Sequence, residues 1–204
     1  MKYFFIAIVL AVIGLTIYLG VGEEDHTLYI QEITDLRNRK DRNFKNEQDS
    51  PLLPVDKETF TGLNYYEVDP EFRVMARLQK NERMERLTVG ASTGENLIYL
   101  KYGYAEFQLE GTNHRMLLLQ ETGANSSPRL FLPFSDETSA LETYGGGRYL
   151  DLDFDPRSKK ITLDFNRAYA PYCAYNENYT CAIPPSENHL TIAILAGEKN
   201  WVKN

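Results

Sequence analysis

The stretch NLIYLKYGYAEFQLEGTNHRMLLLQ, residues 96–120, decides the fold. Two runs rich in Leu, Tyr, Ile and Phe flank Glu110-Gly111-Thr112-Asn113, a four-residue turn signal. Aromatic and branched residues fit the pleated surface of a strand, and a Gly-containing turn between two such runs reads as a hairpin. The spacing predicts one strand over 96–109, broken at Gly103, and its partner over 115–120. Working outward, the same signature recurs. Residues 73–79 alternate, with Val74, Ala76 and Leu78 on one side, and 83–89 follow. Downstream come 129–134, 149–154, 160–165 and 190–195, with Asp155-Pro156-Arg157-Ser158 as a turn between two of them. Eight or so short strands with no helix between them predict a mainly β fold, an antiparallel barrel or sandwich.

Upstream of the strands the pattern changes. Residues 27–45 place Ile30, Ile33, Leu36 and Phe44 on one side at helical spacing, and Asp25 or Thr27 can cap the start. Acidic residues precede basic ones along this amphipathic helix, which suits the helix dipole. Its run from Arg37 to Lys45 reads as a solvated face. Residues 46–54 (NEQDSPLLP) read as a loop. Further upstream, 3–21 (YFFIAIVLAVIGLTIYLGV) carry no charge. Such a run is long enough to span the hydrocarbon of a bilayer as one transmembrane helix. Lys2 precedes it and Glu23, Glu24 and Asp25 follow. That asymmetry makes 1–22 a signal-anchor and puts 23–204, a single domain, on the extracytoplasmic side, periplasmic or at the cell surface. The rival reading is a cleaved signal peptide, with Gly20-Val21-Gly22 as the cleavage site.

Composition agrees with one globular domain. Apolar residues make up 43% of the 204 and charged residues 25%, a globular balance with enough chain for a real core. The formal net charge of −7 repels a phosphate backbone, so nucleic acid is not an expected partner. The membrane, through 3–21, is one; a small molecule or a protein is left open.

The motifs give chemistry sparingly. Cys173 and Cys181 are the only cysteines. Outside a membrane their spacing predicts a disulfide stapling the long segment 166–189. Metal ligation is the alternative, but only Glu187 and His189 lie near, no zinc spacing matches, and no cofactor motif occurs. Asp151, Asp153 and Asp155 share one face of a strand, and Pro156 and Thr162 stand where a calcium loop needs Gly and Glu. Gly145-Gly146-Gly147-Arg148 reads as a tight turn, with anion binding as the sharper alternative. The densest polar cluster is Asp164, Asn166, Arg167 and Tyr169, where a strand ends and the long segment begins. With Arg148, Glu187 and Asn188 it makes a candidate ligand pocket, set against the reading that these groups only satisfy one another.

Several longer stretches carry a resemblance: FTGLNYY at 60–66, FLPFSDET at 131–138, ETYGGGRYLDL at 142–152, LDFNRAYAPYCAY at 163–175, CAIPPSENHL at 181–190 and AGEK at 196–199. With Ser50-Pro51-Leu52-Leu53-Pro54 they cover most of residues 30–200, and the chain resembles the family of domain of unknown function DUF1684. Ala170 stands where the pattern has Asn and Ala182 where it has Pro. The resemblance implies no activity. It does imply a role for the cysteine pair beyond a staple, since similar chains without a leader carry it too. The sequence therefore names no reaction. It supports a membrane-tethered binding or interaction domain, with an enzyme such as a hydrolase built on Arg148 and 164–188, or a structural envelope protein, as alternatives.

Overall fold

The computed structural model describes residues 26–122 and 129–202. The expected membrane anchor falls outside them; among the described residues no helix is long and apolar enough to cross a membrane.

Among the described residues seven antiparallel strands form one curled sheet, a half-barrel rather than a closed barrel or a two-sheet sandwich. They are β1 (Arg73–Lys80), β2 (Arg86–Gly90), β3 (Asn96–Leu109), β4 (Thr112–Glu121), β5 (Leu130–Phe134), β6 (Arg148–Leu152) and β7 (Lys160–Asp164). The order across the sheet is β6-β5-β4-β3-β1-β7, with β2 on β3. The expected hairpin is the spine: β3 and β4 pair from Leu109 opposite Thr112 to Tyr99 opposite Glu121.

The break at Gly103 is a register shift between Lys101 and Gly103. A one-residue shift exchanges the faces of every side chain beyond it. Before the break, Leu97 and Tyr99 pack on one face; after it, Ala105, Phe107 and Leu109 turn to the other. A Cβ at position 103 would lie 2.3 Å from the Gln79 carbonyl oxygen of β1, so only glycine lets the strands meet there.

Both faces of the sheet are covered, which explains the unbroken apolar run in β4. Met116 and Leu118 enter the main core with Leu130, Leu132, Leu150, Leu163 and Phe165. Leu117 and Leu119 enter a second cluster with Val89, Phe131, Tyr149, Cys181 and Ala182. Residues 169–182 cover this second face.

The N-terminal helix runs over Thr27–Asn46 (α1), with Thr27 its first residue rather than its cap. It buries Ile33 and Phe44. Phe44 sits in a third cluster with Leu52, Phe60, Leu63 and Tyr175. The stretch 46–54 leads into a further short helix, α2 (Pro54–Thr59), which has Pro at its first turn as helix starts favour. The basic face of α1 is not simply solvated. Arg37 donates to the Tyr66 carbonyl at 2.7 Å, and Lys40 turns inward to Glu198 at 2.6 Å.

Residues 190–195 do not form the expected eighth strand. Their backbone is spent otherwise: the Leu190 N–H donates to Ser135 O, and Ile194 O accepts from the Arg148 side chain.

Candidate functional site

The sequence-selected cluster does not converge on one pocket. Arg148, at the start of β6, is fully buried. Its guanidinium donates to Asp136 Oδ2 at 2.8 Å, to the Ile194 carbonyl at 2.9 Å and to the carbonyls of Ala196 and Glu198. It is a clamp on the C-terminal segment, and Gly147 before it (φ 85°) has no room for a Cβ beside Phe134 O. Asn188 is also fully buried. Its amide takes the N–H and C=O of Leu117 and the Pro133 carbonyl, pinning the Ser186–Asn188 turn to β4 and β5.

Asn166 fastens Asp69 through both backbone groups and donates to the Tyr29 hydroxyl. Asp164 accepts from that hydroxyl at 2.7 Å and caps the turn at the Asn166 N–H. These four side chains find their partners within the fold, as buried polar groups must. Arg167 is exposed beside a shallow hollow of 230 Å³ shared with Asp164. Glu187, also exposed, accepts from the Tyr104 hydroxyl. Only Tyr169 of the seven candidates reaches the cleft described next.

That cleft has a volume of about 560 Å³ and opens on the second face of the sheet. Its walls are aromatic: Tyr99 from β3, Phe131 from β5, Tyr149 from β6, and Tyr169, Tyr172 and Tyr179 from the covering segment. The rings pack edge to face, Phe131 on Tyr149 at 4.8 Å and Tyr149 on Tyr169 at 5.8 Å. Backbone bonds in both directions between Tyr149 and Tyr169 hold the segment to the β6 edge. Such rings keep fixed positions, as ligand pockets require.

The polar groups sit among these rings. Lys40 of α1 places its ammonium 5.1 Å from the Tyr169 ring centre and is held from behind by Glu198. Glu198 is 1% exposed, and its Oε1 has no close hydrogen-bond partner among the described residues. Burial pushes its carboxyl upward, against the pull of Lys40. Asp151 accepts from the Tyr169 hydroxyl at 3.1 Å and is likewise pushed up by desolvation. Glu121 and Arg129 stand in the same lining. Burial drives the phenol of Tyr99 up to about 12 and those of Tyr149 and Tyr169 further. All three hydroxyls stay protonated at neutral pH; that of Tyr149 donates to the Ala182 carbonyl and that of Tyr169 to Asp151.

Cys181 also lines the cleft. The two cysteines are free thiols, not the expected disulfide. They face one another through hydrogen bonds instead: the Cys173 N–H donates to Cys181 Sγ at 3.1 Å. Among the described residues no group of three or more His, Cys, Asp and Glu side chains is placed to hold a metal.

A larger concavity of 1020 Å³ lies where the β3–β4 hairpin meets β1 and β7. Exposed Arg77 and Arg115 wall it, and both are drawn to Glu106 across 3.7 Å. It is a solvated trough. The cleft, with convergent polar groups and displaced titrations, is the better site.

A family model described as a protein of unknown function (DUF1684) matches residues 58–199. The chain belongs to the DUF1684 family. The match spans β1 through Glu198 and thus holds every cleft residue except Lys40. The solution NMR structure of an uncharacterized protein of Haloarcula marismortui is similar to this DUF1684 chain. It is 34% identical with a TM-score of 0.68, covering 88% of this chain and 98% of that one. None of the curated proteins matches.

Sequence reasoning missed Lys40, Glu198, Tyr99 and Tyr149 as members of the site. Two signals pointed to the first pair. Phe44 one turn beyond Lys40 is a core residue, so Lys40 stands beside the buried stripe. The AGEK stretch carrying Glu198 is part of the family resemblance.

Proposed function

We propose that this DUF1684 chain is a binding protein tethered to the outer face of a membrane, and that its tyrosine-lined cleft takes a small, uncharged, ring-bearing molecule. The observation that carries the reading is the convergence of six aromatic side chains from four parts of the fold on one open cleft. Flat rings offer stacking faces, and protonated tyrosines and amphipathic edges serve a ligand that is apolar on its face and polar at its rim. The charged lining is of both signs, Lys40 and Arg129 with Glu121 and Asp151, and Lys40 is already held by Glu198, so no cluster of one sign invites an ion. A hydrolase built on Arg148 and 164–188 is the weaker reading, because Arg148, Asn166 and Asn188 are committed to backbone groups. The tether rests on the uncharged run 3–21 and the charges that flank it.

One chain tests both parts. Fused after Asn204 to a reporter active only outside the cytoplasm, it is expected to give activity. Purified in detergent, it is expected to show saturation transfer to members of a panel of neutral saccharides and uncharged aromatic compounds. That signal should fall at least tenfold in Tyr169→Ala and persist in Met84→Ala, an exposed site outside the cleft. A silent export reporter overturns the tether. A panel with no binder, or binding that survives Tyr169→Ala, overturns the cleft as the site.

A further inference from the structure

We propose that Cys173 and Cys181 are a reversible dithiol–disulfide couple whose oxidation reshapes one wall of the tyrosine-lined cleft. The proposal rests on the binding reading only for its effect on affinity; the redox step stands on the geometry of the pair.

Two thiols lie in contact at the ends of a short turn. Cys181 is buried at the cleft wall and Cys173 is half-buried, the more exposed residue of the two. The Cys173 N–H already reaches Cys181 Sγ. A disulfide needs the sulfurs about 2 Å apart, and only a local shift separates hydrogen-bonded thiols from that. Cys173 is also set up to be the attacking sulfur. Hydrogen bonds from Cys181, Tyr144 and Ser92 favour its thiolate and, against the cost of burial, hold it below the usual thiol range. The thiolate is the nucleophile in exchange chemistry.

The turn between them is cleft wall. Tyr172, Tyr179, Thr180 and Cys181 all line it, and the rings of Tyr172 and Tyr179 meet edge to face at 5.2 Å. The Cys181 end is fixed: its C=O accepts from Ser92 N–H, its N–H donates to Ser92 Oγ, and Ile183 N–H donates to Gly90 O. The Cys173 end is a single 3-10 turn, Tyr172–Ala174, whose first residue is exposed. Closing the bond therefore draws Cys173 toward Cys181 and moves Tyr172 with it.

The step balances with a small-molecule disulfide as oxidant. The Cys173 thiolate attacks one of its sulfurs, that S–S bond breaks, and one thiolate leaves, giving a mixed disulfide on Cys173. Cys181 gives up its proton and attacks the Cys173 sulfur, and the second small thiolate leaves. Two protein thiols are oxidised to one disulfide, and the reagent is reduced to two thiols that carry the two protons.

Oxidised glutathione tests this on the full chain in detergent. Mass mapping is expected to find Cys173 bonded to Cys181, fully reversed by dithiothreitol. Cys181→Ser is expected to accumulate the mixed disulfide at Cys173 instead. Alkylation of Cys173 should rise with pH and level off below the range of an ordinary thiol. The NMR signals of Tyr172 and Tyr179 should shift on oxidation while those of Tyr65 stay. A lasting glutathione adduct on the unaltered chain, or a bond already formed and resistant to dithiothreitol, overturns the couple. A reversible bond that leaves the Tyr172 and Tyr179 signals in place overturns the reshaping. None of these readouts needs a ligand, so they fail or succeed apart from the binding reading.

Discussion

A guanidinium that has left water needs partners for its donors, and Arg148 finds four of them, three backbone carbonyls and the buried carboxylate of Asp136. Asp136 is itself tied to the N–H and hydroxyl of Thr138. The buried pair is thus a knot rather than an isolated bridge. Replacing one partner leaves the other charged and unpaired in the core, which costs about 3–5 kcal/mol. Arg148→Ala is therefore expected to lower the melting temperature by roughly 6–20 °C, read by circular dichroism, and to leave saturation transfer from the cleft in place at low temperature. A drop of only a degree or two would return Arg148 to the list of ligand-binding groups. From the sequence alone this arginine looked like a ligand contact because charge attracts such a reading. What decided its role was depth, which no local pattern around position 148 encodes.

At the scale of elements the sequence was far more legible. The helix predicted over 27–45 runs over Thr27–Asn46, and the strands predicted over 96–109 and 129–134 run over Asn96–Leu109 and Leu130–Phe134. Periodicity and turn residues carry that information directly. The eighth strand failed because an alternating pattern reports which side chains are buried and not what the backbone bonds to; Arg148 supplies those bonds from a side chain 46 residues away. The inward turn of Lys40 was hidden for a related reason, since its partner Glu198 lies at the other end of the chain. The break at Gly103 was legible as a break, and its function, exchanging the faces of β3, needed the register. Gly103→Ala places a methyl group against the β1 backbone, and overpacking of this kind costs about 1–3 kcal/mol. A lower urea midpoint with an unchanged slope is expected. Wild-type stability in Gly103→Ala would mean that β1 and β3 do not approach as closely as described.

For the molecule as a whole, the buried acid has a consequence for pH. The folded state holds the Glu198 carboxyl above its ordinary value of 4.5. A raised group binds its proton more tightly in the folded chain. Its stabilising contribution is thus complete below the unfolded value and is lost as pH rises through the folded one. Half-buried Asp41 is raised by burial as well and acts in the same direction; Asp151, whose side chain is exposed on β6, adds little. Melting temperature is expected to decline from mildly acidic toward neutral pH, and the decline should be shallower in Glu198→Gln. An identical slope in that variant would show that the other carboxyls alone set it.

The clamp on residues 194–198 also says something about time. Arg148, Lys40 and the backbone of 64–66 all take their partners from that segment: Lys199 N–H donates to Asn64 O, and Tyr66 N–H to Gly197 O. A chain emerging at about 5–20 residues per second has made its helix and all seven strands long before these groups arrive. Until then Arg148 sits in a half-built core with its carbonyls missing, and α1 has no acid to hold Lys40. A chain stopped just before Ile194 would carry all seven strands and the apolar seat of α1, and would lack the partners that close Arg148 and Lys40.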